Sequence, residues 1–216
     1  MRSVPAVRAR EQVAALRQEH VRRRTEIRQR LEEFRRVVPE EYFYELVYCL
    51  LTPQTSAEHA DRVIFSLRAA GFRERGFDPE REFRHASHYI RFHRTKARHV
   101  QEARQKFPEI EAALRVGRPA AETREWLVRN VKGLGYKEAT HFLRNIGRNE
   151  GLAILDRHIL RHLRKLGVIR SVPQSLTGSR YLKVERRFQE FADQVGIPVD
   201  ELDLLFWSLA TGSIRK

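Results

Sequence analysis

Apolar residues recur along this chain mostly three or four positions apart, on a background of charge, which is the spacing of helices. Between residues 13 and 37, Val13, Leu16, Val21, Ile27, Leu31 and Phe34 form an imperfect stripe among arginines and glutamates and predict an amphipathic helix. Residues 41–51 are more strongly apolar, with Phe43, Leu46, Val47, Cys49, Leu50 and Leu51, and predict a buried helix. Thr52-Pro53-Gln54-Thr55-Ser56 breaks that run, and Ser56 is placed to cap a helix over 57–70 that Gly71 ends. Further helices are expected over 95–106, closed by Phe107-Pro108, and over 120–131 and 136–146 on either side of a glycine-rich turn. The last three are expected over 156–166, 178–195 and 200–210. No stretch alternates like a half-buried strand, and the linker-like stretches 73–82, 147–151 and 170–179 are short. The expected fold class is all-α.

Composition narrows the function. Lys and Arg outnumber Asp and Glu 42 to 28, a formal charge of +14, which makes a polyanion the first partner to consider. With 41% hydrophobic residues the chain can bury a core and is not a disordered basic tail. Only seven of the cations are lysines. Arginine suits phosphate forks but not amine chemistry, so candidates for an amine nucleophile are few. The single cysteine, Cys49, excludes an internal disulfide and a four-cysteine zinc or iron–sulfur site. No apolar run is long enough to span a membrane. Residues 1–10 are basic with no apolar stretch behind them, unlike a secretory signal, and Glu11, Glu19 and Glu26 argue against a transit peptide. An intracellular, cytoplasmic, DNA-associated protein is expected.

The most informative segment is Lys132-Gly133-Leu134-Gly135-Tyr136-Lys137, set between two helical patterns. Gly133 and Gly135 allow positive φ and close backbone approach, and such a turn leaves N–H groups free at the start of the second helix. Those donors and the positive helix end make a phosphate site indifferent to base identity, the physics of a helix-hairpin-helix; an ordinary tight interhelical turn would read the same way locally. Lys137 lies in the first turn of the following helix, where the helix end opposes its charge, so it reads either as a nucleophilic amine or as a phosphate contact. Asp156 follows the apolar run Leu152–Leu155 and opens the next helix. It can cap that helix, and it can stabilise positive charge developing on a sugar or move protons.

Gly133-Leu134-Gly135-Tyr136-Lys137, with Asp156 nineteen residues after the lysine, resembles the helix-hairpin-helix/Gly-Pro-Asp superfamily of DNA glycosylases. Leu155 stands where the name-giving pattern has proline, a departure that concerns the turn and not the chemistry. The strings Gly-Tyr-Lys-Glu-Ala-Thr-His-Phe-Leu-Arg-Asn (135–145) and Ile-Leu-Asp-Arg-His-Ile-Leu-Arg (154–161), with a chain ending at Lys216, resemble the type 2 8-oxoguanine DNA glycosylase/AP lyase family. The resemblance covers residues 43–216, and the lack of cysteines near the C-terminus fits it, since relatives of endonuclease III carry four cluster cysteines there.

The resemblance implies roles. Lys137 would attack C1′ of the damaged nucleotide, and Asp156 would support departure of the base and later proton transfers. The imine would then permit β-elimination that nicks the strand. Lys132, Gly133 and Gly135 would contact phosphate, and His158 could donate to a phosphate near the lesion or be an ordinary surface histidine. His158 and His162 have zinc-compatible spacing but no third ligand at a matching position, so no metal and no cofactor are expected. The target base must leave the duplex. Gln54 matches the position that fills the vacated stack, although a polar loop residue is an equal reading. Phe92 and Trp207 match pocket aromatics. 8-Oxoguanine carries an N–H at N7 where guanine has an acceptor, and the terminal carboxylate of Lys216 is the expected acceptor for it.

The implied architecture has two helical lobes, residues 45–148 with the hairpin and Lys137, and residues 1–44 plus 149–216 with Asp156 and the C-terminus. A DNA groove would lie between them. The expected partner is double-stranded DNA containing 8-oxoguanine, bound by a monomer. A glycosylase of the same fold for another lesion, and a non-catalytic DNA-binding module, are the rival readings.

Overall fold

A computed structural model of the chain describes the backbone of residues 4–214 and the side chains of residues 11–214. Every regular element among the described residues is helical, as the apolar spacing predicts. The α-helices are α1 (Val4–Arg35), α2 (Tyr42–Leu51), α3 (Ala57–Ala69), α4 (Phe72–Arg75), α5 (Glu80–Phe83) and α6 (His93–Gln105). They continue as α7 (Phe107–Arg115), α8 (Ala120–Asn130), α9 (Tyr136–Asn145), α10 (Arg157–Lys165), α11 (Gly178–Val195) and α12 (Val199–Thr211). No helix among the described residues is long and apolar enough to cross a membrane.

The chain divides into two compact units, one spanning Arg36–Glu150 and the other joining the residues up to Arg35 with those from Gly151 onward. Phe43, fully buried, belongs to the core of the first unit. There α2 is the central helix, packed by α3, α6 and α9. Its side chains Phe43, Leu46, Val47, Cys49 and Leu51 are fully buried. The ring of Phe43 stacks on Phe72 and meets Phe107 edge-on, with centroids 6.1 and 5.2 Å away. Pro53 disfavours continuation of α2, and Ser56 Oγ accepts the His59 N–H at 3.2 Å to start α3.

One local reading is extended and another corrected here. The helix before Phe107-Pro108 ends as expected, α6 closing at Gln105 with Lys106 as its cap, but the same dipeptide also opens α7, with Pro108 in the first turn where its missing N–H costs nothing. The stretch 73–82, read as linker, contains α4 and α5 in part, because Phe72 and Phe83 bury completely and pin it to the core.

In the second unit α12 packs against α1, α10 and α11. On α1, Leu16, Ile27, Leu31 and Phe34 are buried as the stripe predicts, but Val21 is 64% exposed. The helical period runs through His20 instead, which is buried and whose Nε2 lies 2.5 Å from Glu201 Oε2. Arg28 Nε donates to the other oxygen of Glu201 at 2.9 Å. A polar pair thus sits inside an apolar seam, and apolar patterning alone misplaces it.

Candidate active site

The turn between α8 and α9 requires glycine at one position. Gly133 has φ +88°, and a Cβ on it would lie 2.5 Å from His99 Nδ1 and 3.0 Å from Leu50 Cδ2. Burial pulls the His99 imidazole below its ordinary pKa, keeping this neighbour uncharged near neutrality. Gly135 differs from expectation: its φ is −88°, outside the left-handed region. Its N–H also donates to Glu138 Oε2 at 3.2 Å, so this donor is already engaged by the helix's own carboxylate. Lys132 is exposed beside the turn, its Nζ 3.1 Å from Glu102 Oε2.

Lys137 occupies the first turn of α9, its Nζ 3.2 Å from Glu138 Oε1 and its side chain 28% exposed. Behind it, α9 is buried from Ala139 to Asn145. Polar side chains fix the helix in register. Tyr136 Oη donates to Glu125 Oε1 at 2.6 Å, a bond that raises the phenol's pKa. Arg124 Nη1 donates to Thr140 Oγ1 at 3.2 Å, and Asn145 Nδ2 to Glu45 Oε2 at 2.9 Å. The ring of His141 is buried edge-on to Tyr48, 5.8 Å between centroids. The lysine therefore projects from a rigid base, the condition for a precisely aimed side chain.

In the other unit, Asp156 caps α10: Oδ1 accepts the N–H groups of His158 and Ile159, both at 2.8 Å. The segment before it is held by α11. Glu185 Oε1 accepts the Ala153 N–H at 2.9 Å, and Tyr181 Oη donates to Ala153 O at 2.5 Å while accepting the Leu155 N–H at 3.2 Å. Leu155, where the superfamily pattern has proline, thus contributes a donor that proline lacks. His158 meets Trp207 edge-on at 5.2 Å, and His162 stacks on Phe206 at 4.8 Å. Burial, reinforced by Lys165 and His158, lowers the His162 pKa. The indole Nε1 of Trp207 is buried without a hydrogen-bond partner. Among the described residues no group of three or more His, Cys, Asp or Glu side chains is arranged to hold a metal. Lys216 lies outside the described residues.

Gln54 and Phe92, back in the first unit, share a property that sequence did not reveal. Both are left-handed without being glycine, with φ 55° and 60°, and both are exposed. For a bulky residue such backbone is uncommon, costs about 1–3 kcal/mol and concentrates at ligand sites. Phe92 immediately precedes α6, and the Arg91 guanidinium lies 5.1 Å from its ring centroid. Beside it is an open cleft of about 550 Å³ lined by Arg84, Arg91 and Arg94, with Tyr89 and His93. Three guanidiniums around an aromatic face suit a nucleotide's phosphate and base.

Lys96, to which sequence reasoning gave no role, is 5% exposed. Its Nζ donates to Leu51 O at 2.6 Å, Pro53 O at 2.7 Å and Thr55 Oγ1 at 2.9 Å. Burial, and then the nearby charge of Lys137, pull its pKa down to about 8, with Glu138 opposing. No local pattern announces this, since its partners lie more than 40 positions earlier in the chain.

The chain as a whole resembles known proteins. Residues 27–197 match the family model described as 8-oxoguanine DNA glycosylase. The chain is similar to a Korarchaeum cryptofilum protein named 8-oxoguanine DNA glycosylase/AP lyase, 41% identical over 191 residues, 88% of this chain and 90% of that one. Its fold is similar to the crystal structure of the 8-oxoguanine DNA glycosylase of Thermotoga maritima, with TM-score 0.82 and 34% identity over 96% of this chain and 100% of that one. It is also similar to a Methanocaldococcus jannaschii 8-oxoguanine glycosylase/lyase in complex with a 15mer DNA containing 8-oxoguanine. That likeness has TM-score 0.78 and 36% identity over 89% and 93% of the two chains.

Proposed function

This chain belongs to the 8-oxoguanine DNA glycosylase family, and on that premise we infer that it excises 8-oxoguanine from duplex DNA and then nicks the strand. The observation that carries the reading is the family match across residues 27–197, which contains both Lys137 and Asp156 within one continuous similarity. The chemistry follows from the residue types. The nitrogen of Lys137 attacks C1′ with its lone pair and forms a C–N bond, while the glycosidic bond breaks, its electron pair leaves with the base, and the base takes up the proton that the nitrogen loses. Asp156 offers a carboxylate to the cationic sugar and to proton transfers, oriented by its cap bonds to His158 and Ile159. Ring opening gives the imine; loss of a C2′ proton then expels the 3′ phosphate by β-elimination.

The other site residues serve extrusion and binding. Gln54 fills the place the base leaves, and Phe92 and Trp207 supply aromatic faces. The hairpin at Gly133 and Gly135, with Lys132 and His158, holds phosphates, the Gly135 N–H exchanging its Glu138 carboxylate for one. Lys132 must exchange Glu102 for a phosphate to do so.

Borohydride trapping on a duplex carrying one 8-oxoguanine, beside a plain guanine duplex, tests the reading. A covalent adduct with the lesion duplex alone is expected. The Lys137→Gln variant should bind DNA yet lose trapping and nicking by roughly a thousandfold or more. An adduct only with pyrimidine-lesion DNA would move the substrate to another lesion, and binding without any adduct would leave a non-catalytic DNA-binding module.

A further inference from the structure

Lys96 is a buried cation whose three acceptors are all neutral oxygens, and no carboxylate pairs with it among the described residues. Burying an ammonium is costly unless every proton finds an acceptor, so three short bonds converging on one nitrogen constrain their owners strongly. Those owners bracket a single residue. Leu51 ends α2, Pro53 precedes Gln54, and Thr55 follows it. An ammonium at Leu51 O also meets the negative end of α2. The lysine's own backbone completes the connection, since its N–H donates to Phe92 O at 3.0 Å. One residue therefore ties together Gln54 and Phe92, two of the three exposed, left-handed, non-glycine positions described in this unit; the third, Glu150, lies at its far end.

We propose that Lys96 is a positioning residue for base extrusion: its side chain clamps the 51–55 segment so that Gln54 is held ready to enter the DNA stack, in fixed relation to Phe92 at the start of α6. The proposal rests on the extrusion role of Gln54 given above. The clamp opposes relaxation of Gln54 out of its left-handed conformation, a strain otherwise relieved by the loop moving away from the DNA. The depressed pKa of Lys96 is consistent with the dry environment the clamp requires.

The test compares two reactions of the full-length protein under single-turnover conditions: excision of 8-oxoguanine from a duplex, and nicking of a duplex with a preformed abasic site, where no base has to be expelled. Lys96→Met should slow excision by about tenfold or more while slowing abasic nicking by less than about threefold, a loss of the size expected from a misplaced group. The fluorescence rise of 2-aminopurine next to the lesion, which reports unstacking, should fall with excision. Lys96→Arg keeps charge and donors and should restore excision to within about threefold of wild type.

Equal losses in both reactions, or in the Met and Arg variants alike, would make Lys96 a folding residue and overturn the proposal, as would wild-type excision by a folded Lys96→Met protein. Should that variant fail to fold, Thr55→Val removes one acceptor and leaves the lysine; excision slowed by about threefold is expected, and an unchanged rate overturns the proposal. Gln54→Ala separates this inference from the reading beneath it. If that variant excises at the wild-type rate, the extrusion role of Gln54 fails and the clamp with it. If it is slow while Lys96→Met is not, the clamp alone fails.

Discussion

A Cβ at residue 133 would approach His99 Nδ1 to 2.5 Å, and the backbone there is at φ +88°. Gly133→Ala therefore combines left-handed strain with a collision against a ring that is itself partly buried. Thermal or urea unfolding should show a loss of about 2 kcal/mol, part of which a His99→Ala background recovers by removing the collision. The same substitution at Gly135 meets neither obstacle to the same degree, since φ there is −88° and the near atom is a flexible glutamate oxygen at 3.0 Å. Two glycines that look equivalent in the string Gly-Leu-Gly thus differ in what holds them. Sequence alone locates the turn but does not say which glycine is irreplaceable, because that depends on His99 and Leu50 arriving from α6 and α2.

Among the elements, α10 shows how a helix start is secured from two directions. Asp156 caps it from within, and α11 fixes the preceding segment through Tyr181 and Glu185. Tyr181→Phe removes the donor to Ala153 O and the acceptor for the Leu155 N–H, both buried. A destabilisation of about 3 kcal/mol is expected in denaturant unfolding, larger than for loss of an exposed bond. The cap itself was legible in the sequence, because an aspartate before an amphipathic run is a local pattern. The Tyr181 bonds were not, since residues 26 and 28 positions apart carry no shared signature. Phe107-Pro108 shows a different limit. Proline stops one helix and starts another with equal ease, and only the apolar spacing of Ile110, Ala113 and Leu114 beyond it distinguishes the cases. On α1 the stripe was read at Val21 because valine is apolar, whereas the structure buries His20, whose partner Glu201 lies 181 positions away.

For the whole molecule the governing quantity is the formal charge of +14. Binding to duplex DNA should weaken steeply with salt, and fluorescence anisotropy across a potassium chloride series gives the number of phosphates neutralised, with a slope of about 0.9 per phosphate. Lys132→Ala should reduce that slope by about one and weaken lesion and plain duplexes alike, since a phosphate contact carries no base information. An undiminished slope would remove Lys132 from the interface. Sulfur chemistry is as sparse as positive charge is abundant. The chain has one methionine, its first residue, and one cysteine. Cys49 is wholly buried in α2, with the Asn145 amide nitrogen 4.0 Å from its sulfur. The oxidative chemistry that turns guanine into its 8-oxo form also attacks exposed thiols and thioethers. With its thiol sealed within the first unit, Cys49 is kept from such oxidants, so activity measured after exposure to peroxide should survive as well in a Cys49→Ala variant as in the wild type.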